Sequence, residues 1–171
     1  MHKELVGLIP NGHKTLFCNL FGYSSKSLPG IEIVGLGSKG KAIKEKIIYL
    51  NKKFKIKAPA NRYVMCVEES YVASLKDDDY RWLELPFLLM YWSMAKVIPI
   101  ANLSNCLCGG KVSSRGRIES TPTSLHSLDE LNDYLDRDYW LITSSQGCRE
   151  GESVIPLEEI IKFPMFDRDA A

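Results

Sequence analysis

The chain has 171 residues, 45% of them hydrophobic and 25% charged, with a formal net charge of +1 at pH 7. That length and apolar content suit one globular domain able to bury its core unaided, and the five cysteines, an odd number, argue against a disulfide framework. The most apolar stretch, 85–97, is well short of the ~20 residues needed to cross a bilayer, and the N-terminus lacks a signal-peptide core, so the expected location is cytoplasmic.

In chain order, 5–9 and 15–23 are apolar, strand-like runs around Pro10-Asn11-Gly12-His13, and Asn-Gly favours a hairpin because both residues accept positive φ. Leu28-Pro29-Gly30 makes a tight turn, and 31–36 reads as a short buried strand. The break Gly35-Leu36-Gly37-Ser38 opens a helix whose Ile43, Ile47, Leu50 and Phe54 share one apolar face. Pro59-Ala60-Asn61 links this unit to a further strand, 62–68, and polar 69–81 with its three consecutive aspartates reads as a surface loop. Pro86 stands where a first helical residue would, and the apolar run behind it marks a central buried helix with Trp92 in the core.

Residues 106–118 read as a hairpin or two short strands interrupted at Gly109-Gly110 and bent near Gly116. Ser127-Leu128-Asp129-Glu130 matches a capping box ahead of a helical face continued by Leu131 and Leu135. A strand over 138–144, a short strand over 153–155 and a brief helix over 157–161 complete the elements. Strands and helices interleave without strict alternation, so the expected class is α/β or α+β with a mixed sheet, in one domain over 1–163 with a loose tail at 164–171.

Charge is distributed unevenly. Between 38 and 57 lie eight lysines (Lys39, Lys41, Lys44, Lys46, Lys52, Lys53, Lys55 and Lys57) against the single acid Glu45, so this window carries about +7 and the remainder about −6. On a helical wheel Lys39, Lys46 and Lys53 fall on one flank of the apolar stripe, and Lys41, Lys44 and Lys52 on the other. The run reads either as a solvated helix surface or as a surface for a polyanion, DNA or RNA, with Arg115 and Arg117 extending it if they lie nearby.

Catalytic and metal chemistry find little support. Gly35-Leu-Gly-Ser-Lys-Gly-Lys41-Ala42 nearly matches a phosphate-binding P-loop, but Ala42 has no oxygen where that motif needs a Ser or Thr for Mg²⁺. His2, His13 and His126 belong to no triad-like motif, and no glycine-framed nucleophile elbow occurs. Cys106-x-Cys108 lacks a second close pair or a neighbouring His, so structural thiols are expected, with no cofactor or metal.

Leu28-Pro-Gly-Ile-Glu-Ile-Val-Gly-Leu36 followed by Ala42-Ile-Lys-Glu45 resembles the opening of the N-terminal magnesium-chelatase-like (ChlI) domain of ComM-type proteins. The likeness continues in order through Lys57-Ala-Pro-Ala-Asn-Arg62, Glu84-Leu-Pro86 and Gly110-Lys-Val-Ser-Ser-Arg-Gly-Arg-Ile118. It implies the fold of the Lon protease proteolytic domain and the RadA C-terminal domain, a mixed sheet with helices packed mainly on one side.

Lon-type peptidases use a Ser/Lys dyad. The position matching the serine is Phe87, and the segment matching the lysine is Pro122-Thr-Ser-Leu-His126, so the resemblance implies a pseudoenzyme. No AAA+ motor follows within these 171 residues. The expected work is therefore binding and assembly: contact with nucleic acid through the lysine surface, docking on an AAA+ protein, or self-association into a ring. The rivals are a diverged serine hydrolase using Ser38 with Lys41, and a purely structural interaction module.

Overall fold

The computed structural model describes residues 1–12, 14–76, 78–121, 138–145 and 153–162. The expected capping box and the 164–171 tail lie outside them. Two long strands come first, β1 (His2–Asn11) and β2 (Lys14–Ser25), paired antiparallel from His2–Tyr23 to Asn11–Lys14. The strands meet in the hairpin that Asn-Gly favours, with Asn11 paired to Lys14 as the last residue of β1 and Gly12 at φ 61° beyond it. β3 (Gly30–Val34) leads through the glycine bend into α1 (Ser38–Lys53), and the chain returns as β4 (Arg62–Val67).

Two 3₁₀ turns, Ser70–Ser74 and Asp79–Leu83, then run into α2 (Glu84–Met94). Pro86 is the third residue of α2, not the first; it still lies in the first turn, where its missing N–H has no intrahelical acceptor to satisfy. β5 (Cys106–Cys108) joins the main sheet, whereas β6 (Gly110–Val112) and β7 (Ile118–Ser120) form a separate hairpin. β8 (Trp140–Thr143), β9 (Val154–Pro156) and the single helical turn α3 (Leu157–Ile160) follow.

The class is α+β, built on a mixed seven-stranded sheet of order β3-β4-β2-β1-β5-β8-β9. β1–β2 and β2–β4 are antiparallel, and the other adjacent pairs are parallel. Side-chain alternation along each strand separates two faces. Leu5, Ile9, Cys18, Leu20, Tyr63 and Met65 join α1, α2 and α3 in the main core. Val6 and Leu8 point the other way, into a small cluster with Leu107 and Leu141. α2 is buried at every position from Glu84 to Met94, which explains its lack of an amphipathic pattern.

Four cysteines sit within the described residues as free thiols, and Cys106 and Cys108 both face the main core. Burial pushes Cys18 up to about 12 and Cys106 up to about 11, so these groups stay protonated and inert at neutral pH. No group of three or more His, Cys, Asp or Glu side chains among the described residues is placed to hold a metal ion. No described helix is long and apolar enough to cross a membrane.

Where β5 leaves the main sheet, Gly109 lets the backbone pass so close to β1 that an added Cβ would lie 2.3 Å from both the Leu8 carbonyl oxygen and Thr121 Oγ1. The Thr121 N–H also donates to the Gly109 carbonyl at 2.9 Å, which locks the hairpin to the sheet at this crossing. Backbone cannot yield as a flexible side chain can. Gly109→Ala is therefore expected to destabilise the protein by about 3 kcal/mol, read from the midpoint of urea denaturation at unchanged m-value.

Candidate nucleic-acid interface

α1 presents the lysines, and its position is set by the residues on its buried side. Ile43, Ile47 and Leu50 enter the core one turn apart, while Phe54 is the half-buried C-cap residue. Gly40 faces β3 so closely that an added Cβ would meet Ile33 at 3.2 Å. The glycine bend preceding α1 is thus a tight strand-to-helix reversal, with Gly37 at φ 55° and ψ −133°.

The eight lysines divide into two groups. Lys39, Lys46 and Lys53, spaced seven apart, are held by the protein. Lys39 Nζ donates to the Ala73 and Leu75 carbonyls and lies 5.8 Å from the Tyr80 ring centroid. Lys46 Nζ is 2.5 Å from Glu84 Oε1. Lys53 Nζ donates to the Ser114 carbonyl at 2.9 Å and stands 5.8 and 5.7 Å from the ring centroids of Tyr49 and Phe54. This flank clamps α1 to the 3₁₀ turns, to α2 and to the β6–β7 hairpin.

Glu84 is the centre of that clamp and was not singled out as a functional residue from the sequence. Its side chain is only 5% exposed, and it accepts from Lys46, from Arg81 Nε at 3.1 Å and from the Val112 N–H at 2.7 Å. The hydrogen bond to Glu84 holds the Arg81 guanidinium above its ordinary value. A carboxylate in an otherwise apolar run is the one sequence signal that marks it.

Lys41, Lys44, Lys52, Lys55 and Lys57 form the second group, and no carboxylate lies within 4.0 Å of them among the described residues. The Lys53–Ser114 contact brings the turn that carries Arg115 and Arg117 to the C-terminal end of α1. The turn joining β6 to β7 closes through Ser113 N–H to Arg117 O and Gly116 N–H to Ser113 O, both at 2.9 Å, and its Ser114 sits against the end of α1. Arg115 and Arg117, both exposed, follow Ser114 in this turn, and Tyr49, 50% exposed, lies one helical turn before Lys53.

α1 ends in a Schellman motif: Ile56 N–H donates to the Asn51 carbonyl at 2.9 Å and Lys55 N–H to the Lys52 carbonyl at 3.2 Å. Lys55 occupies the left-handed position, φ 53°, where glycine is the usual residue. Lys96 does the same after α2 at φ 58°, so lysine here also serves the negative end of a helix dipole. Phe87, at the position the resemblance matches to a nucleophile, is 0% exposed within the main core. Ser38 is exposed at the first position of α1, with Lys41 one turn on.

Neither a scan of protein-family models nor a search of curated proteins finds a match to this chain.

Two substitutions test this division. Glu84→Gln strands the Lys46 and Arg81 cations in a largely buried site and is expected to cost about 2–3 kcal/mol, seen as a lowered denaturation midpoint. Lys55→Gly relieves the left-handed backbone and is expected to raise stability by about 0.5–1 kcal/mol in the same assay.

Proposed function

We propose that this protein is a non-catalytic binding domain that contacts DNA or RNA through the C-terminal end of α1 and the adjoining β6–β7 turn. The observation that supports the reading is the Lys53–Ser114 hydrogen bond, which sets the turn carrying exposed Arg115 and Arg117 against the C-terminal end of the lysine helix. Lys41 and Lys44 extend it along the helix, which is about 24 Å long at 1.5 Å per residue. Lysine and arginine contacts to phosphate displace condensed counterions, so such binding is sequence-independent and weakens steeply with salt. The exposed Tyr49 ring adds a surface on which a base can stack.

The resemblance to the ChlI domain of ComM-type proteins, and through it to Lon-type domains, supports the non-catalytic part of this reading, because neither dyad position carries the required side chain in this sequence. The same likeness suggests an AAA+ protein as a further partner. A diverged hydrolase using Ser38 with Lys41 is the competing reading, and its two groups do stand one helical turn apart on the surface.

The test is retention on single- and double-stranded oligonucleotides at about 50 mM salt. Lys52→Glu with Lys55→Glu is expected to lower affinity at least about tenfold, and each lost phosphate contact to reduce the log–log salt slope by about one. A wild-type protein that binds neither nucleic acid at that salt rejects the proposal. Labelling of Ser38 by a serine-directed fluorophosphonate would instead establish the hydrolase.

A further inference from the structure

The outermost line of α1 is set by its buried one. At about 100° per residue, Lys41, Glu45, Tyr49 and Lys52 fall in a single row whose centre lies about 180° from that of Ile43, Ile47 and Leu50. All four residues of the row are exposed, Tyr49 by 50%. Along the helix the row is cation, anion, aromatic ring, cation, and Lys41 stands about 16 Å from Lys52 at 1.5 Å per residue.

Two members of this row set it apart from a plain stripe of cations. Glu45 is the single acid of the 38–57 window, and no cation lies within 4.0 Å of its carboxylate among the described residues. A phosphate drawn to the middle of the row meets like charge there. Tyr49 follows one turn later, with Lys53 Nζ 5.8 Å from its ring centroid and tied to the Ser114 carbonyl at 2.9 Å. The ring is half in water with a fixed cation beside it, so it offers a flat apolar surface close to positive charge.

A duplex cannot use this row. Its bases are stacked inside, and it presents a stiff line of phosphates with one negative charge per about 1.7 Å of axis. Laid along α1, that line sets phosphate against Glu45 and leaves Tyr49 without a base. Nor can α1 sink into a major groove: a groove of about 12 Å takes a helix of about 10–12 Å only when its sides are clear. One side of α1 is not clear, because Lys39, Lys46 and Lys53 tie it to Leu75, Glu84 and Ser114. A single strand differs on both counts. Its bases turn outward to stack on a ring, and its flexible backbone reaches Lys41 and Lys52 while bending away from Glu45.

We infer that this surface takes single-stranded nucleic acid in preference to duplex, with one base stacked on Tyr49 and Glu45 penalising a rigid line of phosphates. This rests on the nucleic-acid reading above and narrows it to one substrate class. Tyr49 is then the specificity-determining residue of the surface, and the lysines supply the strength common to any polyanion.

The test compares oligodeoxythymidylate of about 20 nucleotides with a duplex of equal length, by fluorescence anisotropy at about 50 mM salt. The wild type is expected to bind the single strand at least about tenfold more tightly. Tyr49→Ala should lower single-strand affinity about tenfold and leave duplex affinity within about twofold, with an unchanged log–log salt slope because no phosphate contact is lost. Tyr49→Phe keeps the ring and should keep the affinity. Glu45→Gln should tighten duplex binding more than single-strand binding. Circular dichroism checks that each variant is folded.

Duplex bound as tightly as the single strand overturns the preference, and so does a Tyr49→Ala chain that loses equally on both. A Tyr49→Phe chain as weak as Tyr49→Ala overturns the stacking role, and an unchanged preference in Glu45→Gln overturns the role given to Glu45. A wild type that binds duplex alone leaves the nucleic-acid reading standing without this one. A wild type that binds neither removes both.

Discussion

The buried carboxylate of Glu84 is the constraint on which the rest of the molecule depends. It stands at the first position of α2 and binds Lys46 of α1, Arg81 of the preceding 3₁₀ turn and the Val112 N–H of the hairpin. Four elements that pack at different angles are thus referred to one group. Burying a charge is costly, and the two cations with the backbone donor offset that cost only while all remain in place. Because Lys46 is fixed this way, the rotation of α1 about its axis is fixed, and with it the identity of the lysines that face solvent.

A second consequence concerns the sheet. α1, α2 and α3 spend their apolar surface on one face, which becomes the main core. Over β3, β4 and β2 the opposite face keeps exposed apolar and acidic side chains instead. The two faces therefore differ in cover: helices over one, exposed Phe21, Tyr23 and Val34 on the other.

Much of the fold was legible in the sequence. The turn at Pro29-Gly30, the strand and the lysine helix appear within a few residues of where local chemistry puts them. The strand, however, is a half-exposed sheet edge and not the buried strand its apolar run suggested. The buried helix followed from an unbroken apolar run, although its start moved from Pro86 to Glu84. The helical wheel also grouped Lys39, Lys46 and Lys53 correctly. What it did not reveal is that their partners lie 34 to 61 residues away, in 3₁₀ turns and a hairpin that carry no strong pattern of their own. The cleft lined by Glu4 and Glu68 was illegible for a similar reason, because the two come together only through the pairing of β1 and β4 with β2.

The seven-residue spacing of the three anchoring lysines makes α1 a ruler. Seven residues turn an α-helix through 700°, about 20° short of two full turns, so the three ammonium groups drift only slightly around the axis. Each then reaches a different body: a 3₁₀ turn, the Glu84 carboxylate, the hairpin tip. Inserting or deleting one residue anywhere between Lys39 and Lys53 would rotate the anchors past the change by about 100° relative to the others. The apolar stripe would swing with them. Length is therefore less negotiable in this helix than composition: its outward residues can be exchanged one by one, but their number cannot change without releasing the hairpin and the turns together.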